Sequence, residues 1–104
     1  MQAALDALVE PSRRDILRLV WRRELPASDI ASHFPVTRPA ISKHLGVLKR
    51  AGLITERRLG TQRLYRANTQ AVTELRAMLE TFWDEGLEEV KNAAEAGVRR
   101  RTRS

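Results

Sequence analysis

The chain has 104 residues, 42% hydrophobic and 31% charged, with a net charge of +6, two histidines and no cysteine. That size and balance predict a folded domain with a real core rather than a disordered chain. The missing cysteine excludes disulfides, thiolate metal sites and thiol nucleophiles, and the lack of a membrane-length apolar run or a charged-then-apolar leader points to the cytoplasm.

In chain order, residues 3–9, "AALDALV", read as a short apolar helix carrying Leu5 and Leu8. "EPSRRDILRLVWRR" follows, with Pro11 suited to a first helical turn, Ser12 and Asp15 at capping-box spacing, and Ile16, Leu19 and Val20 at helical spacing. Pro26 marks a break before a third helix, "ASDIASHF", which Ser28 is placed to cap and His33 to end. After "PV", Thr37 is a good N-cap for a helix running to Ala51, and Gly52 ends it. "LITERRL" and "QRLYRAN", separated by "GT", alternate as a β-hairpin does. A long helical pattern over 70–96 then carries apolar residues around about half its circumference, wider than the ~100° stripe that packing on one core needs.

Charge is distributed unevenly. Arg38 to Arg66 holds eight Lys/Arg and one acid, Glu56, whereas Glu74 to Ala96 holds seven acids and two cations. Four arginines follow Gly97. A basic middle beside an acidic helix suggests a polyanion surface on one side and a different role on the other.

The fourth helix carries the chemistry. With Ile41, Leu45 and Leu48 centred on one face, the outer face presents Arg38, Pro39, Ser42, Lys43, Gly46, Lys49 and Arg50 and no acid. Two short helices joined by a tight turn, the second with such a face, make a helix-turn-helix. Ala31 is small where the helices cross, and Ile30, Phe34, Val36, Ile41 and Leu45 form the expected mini-core. The N-terminal end of such a helix reaches base edges in the major groove, so Thr37, Arg38 and Ser42 are candidates for base readout. Lys43, Lys49 and Arg50 suit phosphates, as do Arg58 and Arg63 in the hairpin, which is read as a wing. If Gly60-Thr61 is a two-residue turn, Arg58 faces Arg63 across the strands; the pair is destabilising by itself and stabilising with a phosphate between its members. His44 lies at the edge of the apolar face, where packing or a hydrogen bond, then a phosphate contact, then a metal are the readings to weigh. Gly46 costs up to ~1 kcal/mol against Ala in an exposed helix, which close approach of the backbone to DNA would justify.

The stretch "ELPASDIASHFPVTRPAISKHLGVLKRAGLITERRLGTQRLYRAN", with "SRRDIL" before it and "FWDEGLEEV" after it, resembles the ArsR/SmtB-type winged-helix repressors over residues 3–92. The resemblance implies a homodimer bound to double-stranded operator DNA, its two recognition helices in successive major grooves, in a bacterial cytoplasm at the nucleoid. It also implies an interface from the first and last helices, here Leu5, Leu8, Leu75, Leu79, Phe82, Trp83, Leu87 and Val90. Metal-sensing members carry Cys-x-Cys in the third helix, where this chain has "ELPASDI"; others place Asp, His and Glu ligands on the last helix, which here has no histidine. The chain therefore sits nearer the metal-independent subgroup, with no metal and no cofactor expected and any small-molecule inducer unidentified.

Competing readings are weaker. Asp84, Glu85, Glu88 and Glu89 point in several directions around their helix, as a solvated face does, rather than converging on a metal. Phe82 and Trp83 fit a dimer core better than a ligand pocket. No nucleophile–base pair or phosphate loop appears, since Ser42 has no base beyond the adjacent histidine, so an enzyme is not expected. A winged-helix module for protein or RNA contacts is the alternative to DNA, though such modules often lose the cationic face retained here. The expected fold is mainly α with a small β-hairpin: four helices, a two-stranded wing and a long C-terminal helix. Residues 1–97 form one DNA-binding and dimerisation domain in this reading, and 98–104 a loose basic tail.

Overall fold

Prolines punctuate the first half of the chain. In a computed structural model, which describes residues 2–102 and side chains over residues 2–97, helix α1 spans Gln2–Val9 and helix α2 spans Pro11–Leu19. Pro11 opens α2 at a position whose N–H has no intrahelical acceptor. The cap consequently falls on Glu10, whose carboxylate accepts from the Ser12 N–H at 3.5 Å. The expected Ser12/Asp15 box does not form; Asp15 pairs with Arg18 at 2.8 Å instead. No glycine closes α1, and its last carbonyls are met by arginines of α2. Arg13 Nε donates to the Ala7 carbonyl at 2.7 Å, and Arg14 Nη1 donates to those of Leu8 and Val9.

Strand β1, Leu25–Pro26, leads directly into α3, Ala27–Ser32. The N-cap of α3 is therefore Pro26, which has no side-chain acceptor, and the expected cap Ser28 lies inside the helix. His33 is its C-cap, as expected. Thr37 Oγ1 accepts from the Ala40 N–H at 3.3 Å and starts α4, Arg38–Arg50. Gly52 ends α4 at φ +77°, and the Gly52 and Leu53 N–H groups donate back to the Lys49 and Leu48 carbonyls at 3.0 Å. That pairing is a Schellman motif, with Leu48 and Leu53 both buried beside it.

Strands β2, Ile54–Leu59, and β3, Gln62–Ala67, pair antiparallel with Arg58 opposite Arg63, so the sequence-derived register holds. Gly60 alone takes positive φ in the turn, at +61°, as a II′ hairpin with glycine first requires. Between the two expected strands and the helices the structure adds a third: β1 pairs with β3, giving the order β1-β3-β2. A two-residue strand is too short to show alternation, and its edge position suits Pro26, which has no N–H to donate. Asn68 ends the sheet and caps the next helix, accepting from the Ala71 N–H through Oδ1 while donating through Nδ2 to the Gly52 carbonyl.

The described residues divide into two units, with the boundary between Thr73 and Glu74. In the first, α2 and α3 pack on α4, and α1 packs on α2 and α4. Ala4, Ala7, Ile16, Leu17, Val20, Ile30, Ile41, Leu45, Leu48, Leu53, Ile54, Leu64 and Ala67 are its buried apolar residues. Two mini-core expectations change: Phe34 is half-buried and Val36 is exposed, because both flank the turn rather than enter it. The second unit is helical. Helix α5 spans Thr69–Thr102 and so begins in the first unit. The side chains of the expected basic tail, 98–104, lie outside the described residues.

Candidate nucleic-acid interface

The geometry of α4 follows from its two faces. Burial of Ile41, Leu45 and Leu48 fixes the rotation of the helix, and Arg38, Ser42, Lys43, Lys49 and Arg50 are thereby exposed. Thr37 is exposed as well, its hydroxyl oxygen engaged in the cap. The side chains of Arg38, Ser42, Lys43 and Arg50 make no hydrogen bond or ion pair with any described residue, so their donors are available to a ligand.

His44 behaves differently. It is half-buried, and its Nδ1 is buried with no hydrogen-bond partner among the described residues. Gly46 also acquires a local context: a Cβ there would stand 3.3 Å from the Arg50 guanidinium, which lies across the glycine. A larger side chain would push that guanidinium aside.

The wing lies beside this face. Ser42, Leu45, Gly46, Lys49 and Arg50 of α4 and Glu56, Arg63 and Tyr65 of the sheet line a cleft of about 520 Å³. A second cleft of about 320 Å³ brings Arg38 together with Arg63, Thr61, Gln62 and Ser28. Cations from the helix and the hairpin thus share one surface, which the sequence alone could suggest only through their number.

The sequence marks Glu56 only as the one acid of the basic segment. In the structure its carboxylate takes Lys49 Nζ at 2.8 Å on Oε2 and Arg63 Nε at 3.5 Å on Oε1. The Lys49 hydrogen bond, with the charges of Lys49, Arg63 and Arg58 behind it, holds the Glu56 carboxyl below the usual carboxylate range against an opposing desolvation effect. Arg57, absent from the expected set, donates through Nε and Nη2 to both carboxylate oxygens of Glu24, at 2.7 and 2.6 Å. That pair ties β2 to the segment before β1 and lowers the Glu24 pKa, chiefly through the hydrogen bond. Bidentate partners 33 residues apart leave no spacing signature in a sequence.

The residues expected at a dimer interface divide by unit. Leu5 and Leu8 are half-buried on α1, whose Ala4 and Ala7 face the core. On α5, Leu79, Phe82, Trp83, Leu87 and Val90 are exposed, Phe82 at 68% and Trp83 at 65%. Leu75, expected with them, is 3% exposed in the single chain and falls outside that stripe. No described group of three or more His, Asp or Glu side chains could hold a metal ion. No described helix is long and apolar enough to cross a membrane.

Residues 8–57 match a family described as a helix-turn-helix domain. The chain is 38% identical to the transcriptional repressor SdpR of Bacillus subtilis, over 71% of this chain and 82% of that protein. It is similar in structure to an ArsR-like transcriptional regulator from Rhodococcus, at 32% identity and a TM-score of 0.74, over 89% of this chain and 91% of that one. A homodimeric winged helix-turn-helix DNA-binding domain from Mycobacterium bovis is similar at 31% identity and a TM-score of 0.66, over 81% of this chain and 78% of that one. With α3 and α4 forming the helix-turn-helix and β2–β3 the wing, the chain belongs to the ArsR-type winged helix-turn-helix family of DNA-binding transcriptional regulators.

Proposed function

We propose that the chain acts as a homodimeric repressor that binds double-stranded operator DNA and occludes a promoter, its own upstream region being the first place to look. Arg38 and Ser42 read base edges, with Thr37 beside them, and Lys43, Lys49, Arg50, Arg58 and Arg63 meet phosphates. His44 is assigned to the support of α4, since its Nδ1 is buried. The observation that carries the reading is the acid-free exposed face of α4 sharing a surface with the paired wing arginines. Dimerisation is supported by the exposed apolar stripe of α5, since a surface helix rarely presents Phe and Trp side by side, and by the homodimeric M. bovis relative. Repression is supported by the similarity to SdpR. The reading needs no metal or cofactor, in keeping with the metal-independent subgroup, and it places the protein in the cytoplasm.

The test is duplex affinity against salt. Five phosphate-directed cations per protomer set an upper bound near −9 for the log–log slope of a dimer, at about −0.9 per neutralised phosphate. A steep negative slope is expected. A flat response would contradict the proposal.

A further inference from the structure

An acid on a phosphate-binding surface has to be accounted for, because by itself it repels the ligand. Glu56 is that acid. Its side chain is 16% exposed, whereas those of its partners Lys49 and Arg63 are 54% and 60% exposed. The carboxylate therefore lies beneath the cations: Lys49 spends one ammonium N–H on it and keeps two, whereas Arg63 is held at 3.5 Å as an ion pair and keeps its guanidinium donors. The partners come from different elements. Lys49 is in the last turn of α4, and Arg63 is the diagonal neighbour of Glu56 on the facing strand, one step from the direct pair Glu56–Tyr65. Arg58 lies directly opposite Arg63, on the same face of the hairpin as Glu56.

We propose that Glu56 is a positioning residue of the DNA-binding surface, its carboxylate fixing the Arg63 guanidinium of the wing relative to the Lys49 ammonium of α4 so that both meet the backbone in one register. The inference rests on the DNA-binding reading above. Phosphate contacts carry no sequence information themselves but set the register in which base-reading side chains meet their partners. A wing free to move against α4 would keep its charge and lose that register. Glu56 thereby contributes to discrimination between sequences while its charge slightly opposes affinity for all of them.

The experiment uses the full chain and a duplex it selects from a randomised pool, with a random duplex of equal length as reference. For Glu56→Gln, affinity for the random duplex holds or rises, while the selected-over-random ratio falls about tenfold, the size of one misplaced base contact. Glu56→Asp separates position from charge: the carboxylate remains, one methylene too short to span both partners, and the ratio falls as well. Thermal unfolding, followed for each variant, confirms that the comparison is made on folded protein; if the glutamine variant does not fold, the aspartate variant carries the test. A rise of both affinities with an unchanged ratio would make Glu56 only an internal counter-charge and overturn the proposal. An equal fall of both, in step with a lower Tm, would make it only a structural brace and also overturn it. If the wild type selects no duplex, the DNA-binding reading itself fails, and the inference falls with it.

Discussion

Residues 38–66 and residues 74–97 use side chains in opposite ways. In the first segment apolar residues are spent on a core, with Ile41, Leu45, Leu48, Leu53, Ile54 and Leu64 all buried, and the surface is left to cations. In the second, Leu79, Phe82, Trp83, Leu87 and Val90 are exposed among acids. The first segment is accounted for within one chain, apart from its charge. The second has more apolar surface than one chain covers. The lesson is that an unmet requirement identifies the partner's chemistry: excess cations call for a polyanion, and excess apolar surface calls for protein.

That contrast can be broken most severely at Phe82 and Trp83. In the proposed homodimer, replacing both with Ser removes two aromatic side chains from each protomer, four in all at about 1–2 kcal/mol each, so the dimer dissociation constant should rise by at least about a thousandfold in sedimentation equilibrium. A wild type that is monomeric at all concentrations would remove the second half of the comparison. Within the basic segment, Leu48→Ala deletes a fully buried side chain and should lower the free energy of unfolding by about 2–5 kcal/mol in a denaturant titration. Arg38→Ala touches no core residue; it should leave that titration unchanged, weaken selected DNA by ~1–3 kcal/mol and relax base preference at one position. An equal loss on random duplex would remove Arg38 from the base-reading set.

The smallest effect concerns pH. The Glu24 and Glu56 carboxyls are both held below their ordinary value of 4.5 by their cation partners. A carboxyl with a depressed folded pKa stabilises the protein above the unfolded value and loses that contribution as pH falls through the folded one. The Tm gap between the wild type and a Glu24→Gln, Glu56→Gln double variant should thus be constant from pH 7 to about 5 and close below 4.5. A gap that widened on acidification would reverse the assigned sign.

The legibility of the fold varied with the range of the interactions. Helix α4 was visible end to end, because Thr37, the Ile41/Leu45/Leu48 spacing and Gly52 act within a few residues of one another. The hairpin register followed from one glycine-containing turn. The cap of α2 falls on Glu10 rather than Ser12 because a proline and a serine offer competing signals within two residues. Strand β1, the Glu24–Arg57 pair and the Glu56 contacts depend on tertiary proximity, which no local pattern encodes. At the candidate site, exposure of Arg38, Ser42 and Lys43 was readable from helical phase. The inward position of the His44 Nδ1 and the Arg50 guanidinium over Gly46 depend on side-chain conformation, which helical phase leaves open.

The proposed homodimer, with one recognition helix in each protomer, makes the most direct demand on experiment. Hydroxyl-radical footprinting of the full chain on its selected duplex should show two protected patches related by a dyad, about one helical turn (~34–36 Å) apart. Arg38→Ala should weaken both patches together. A single patch, or protection without dyad symmetry, would contradict a homodimer that places α4 in successive major grooves.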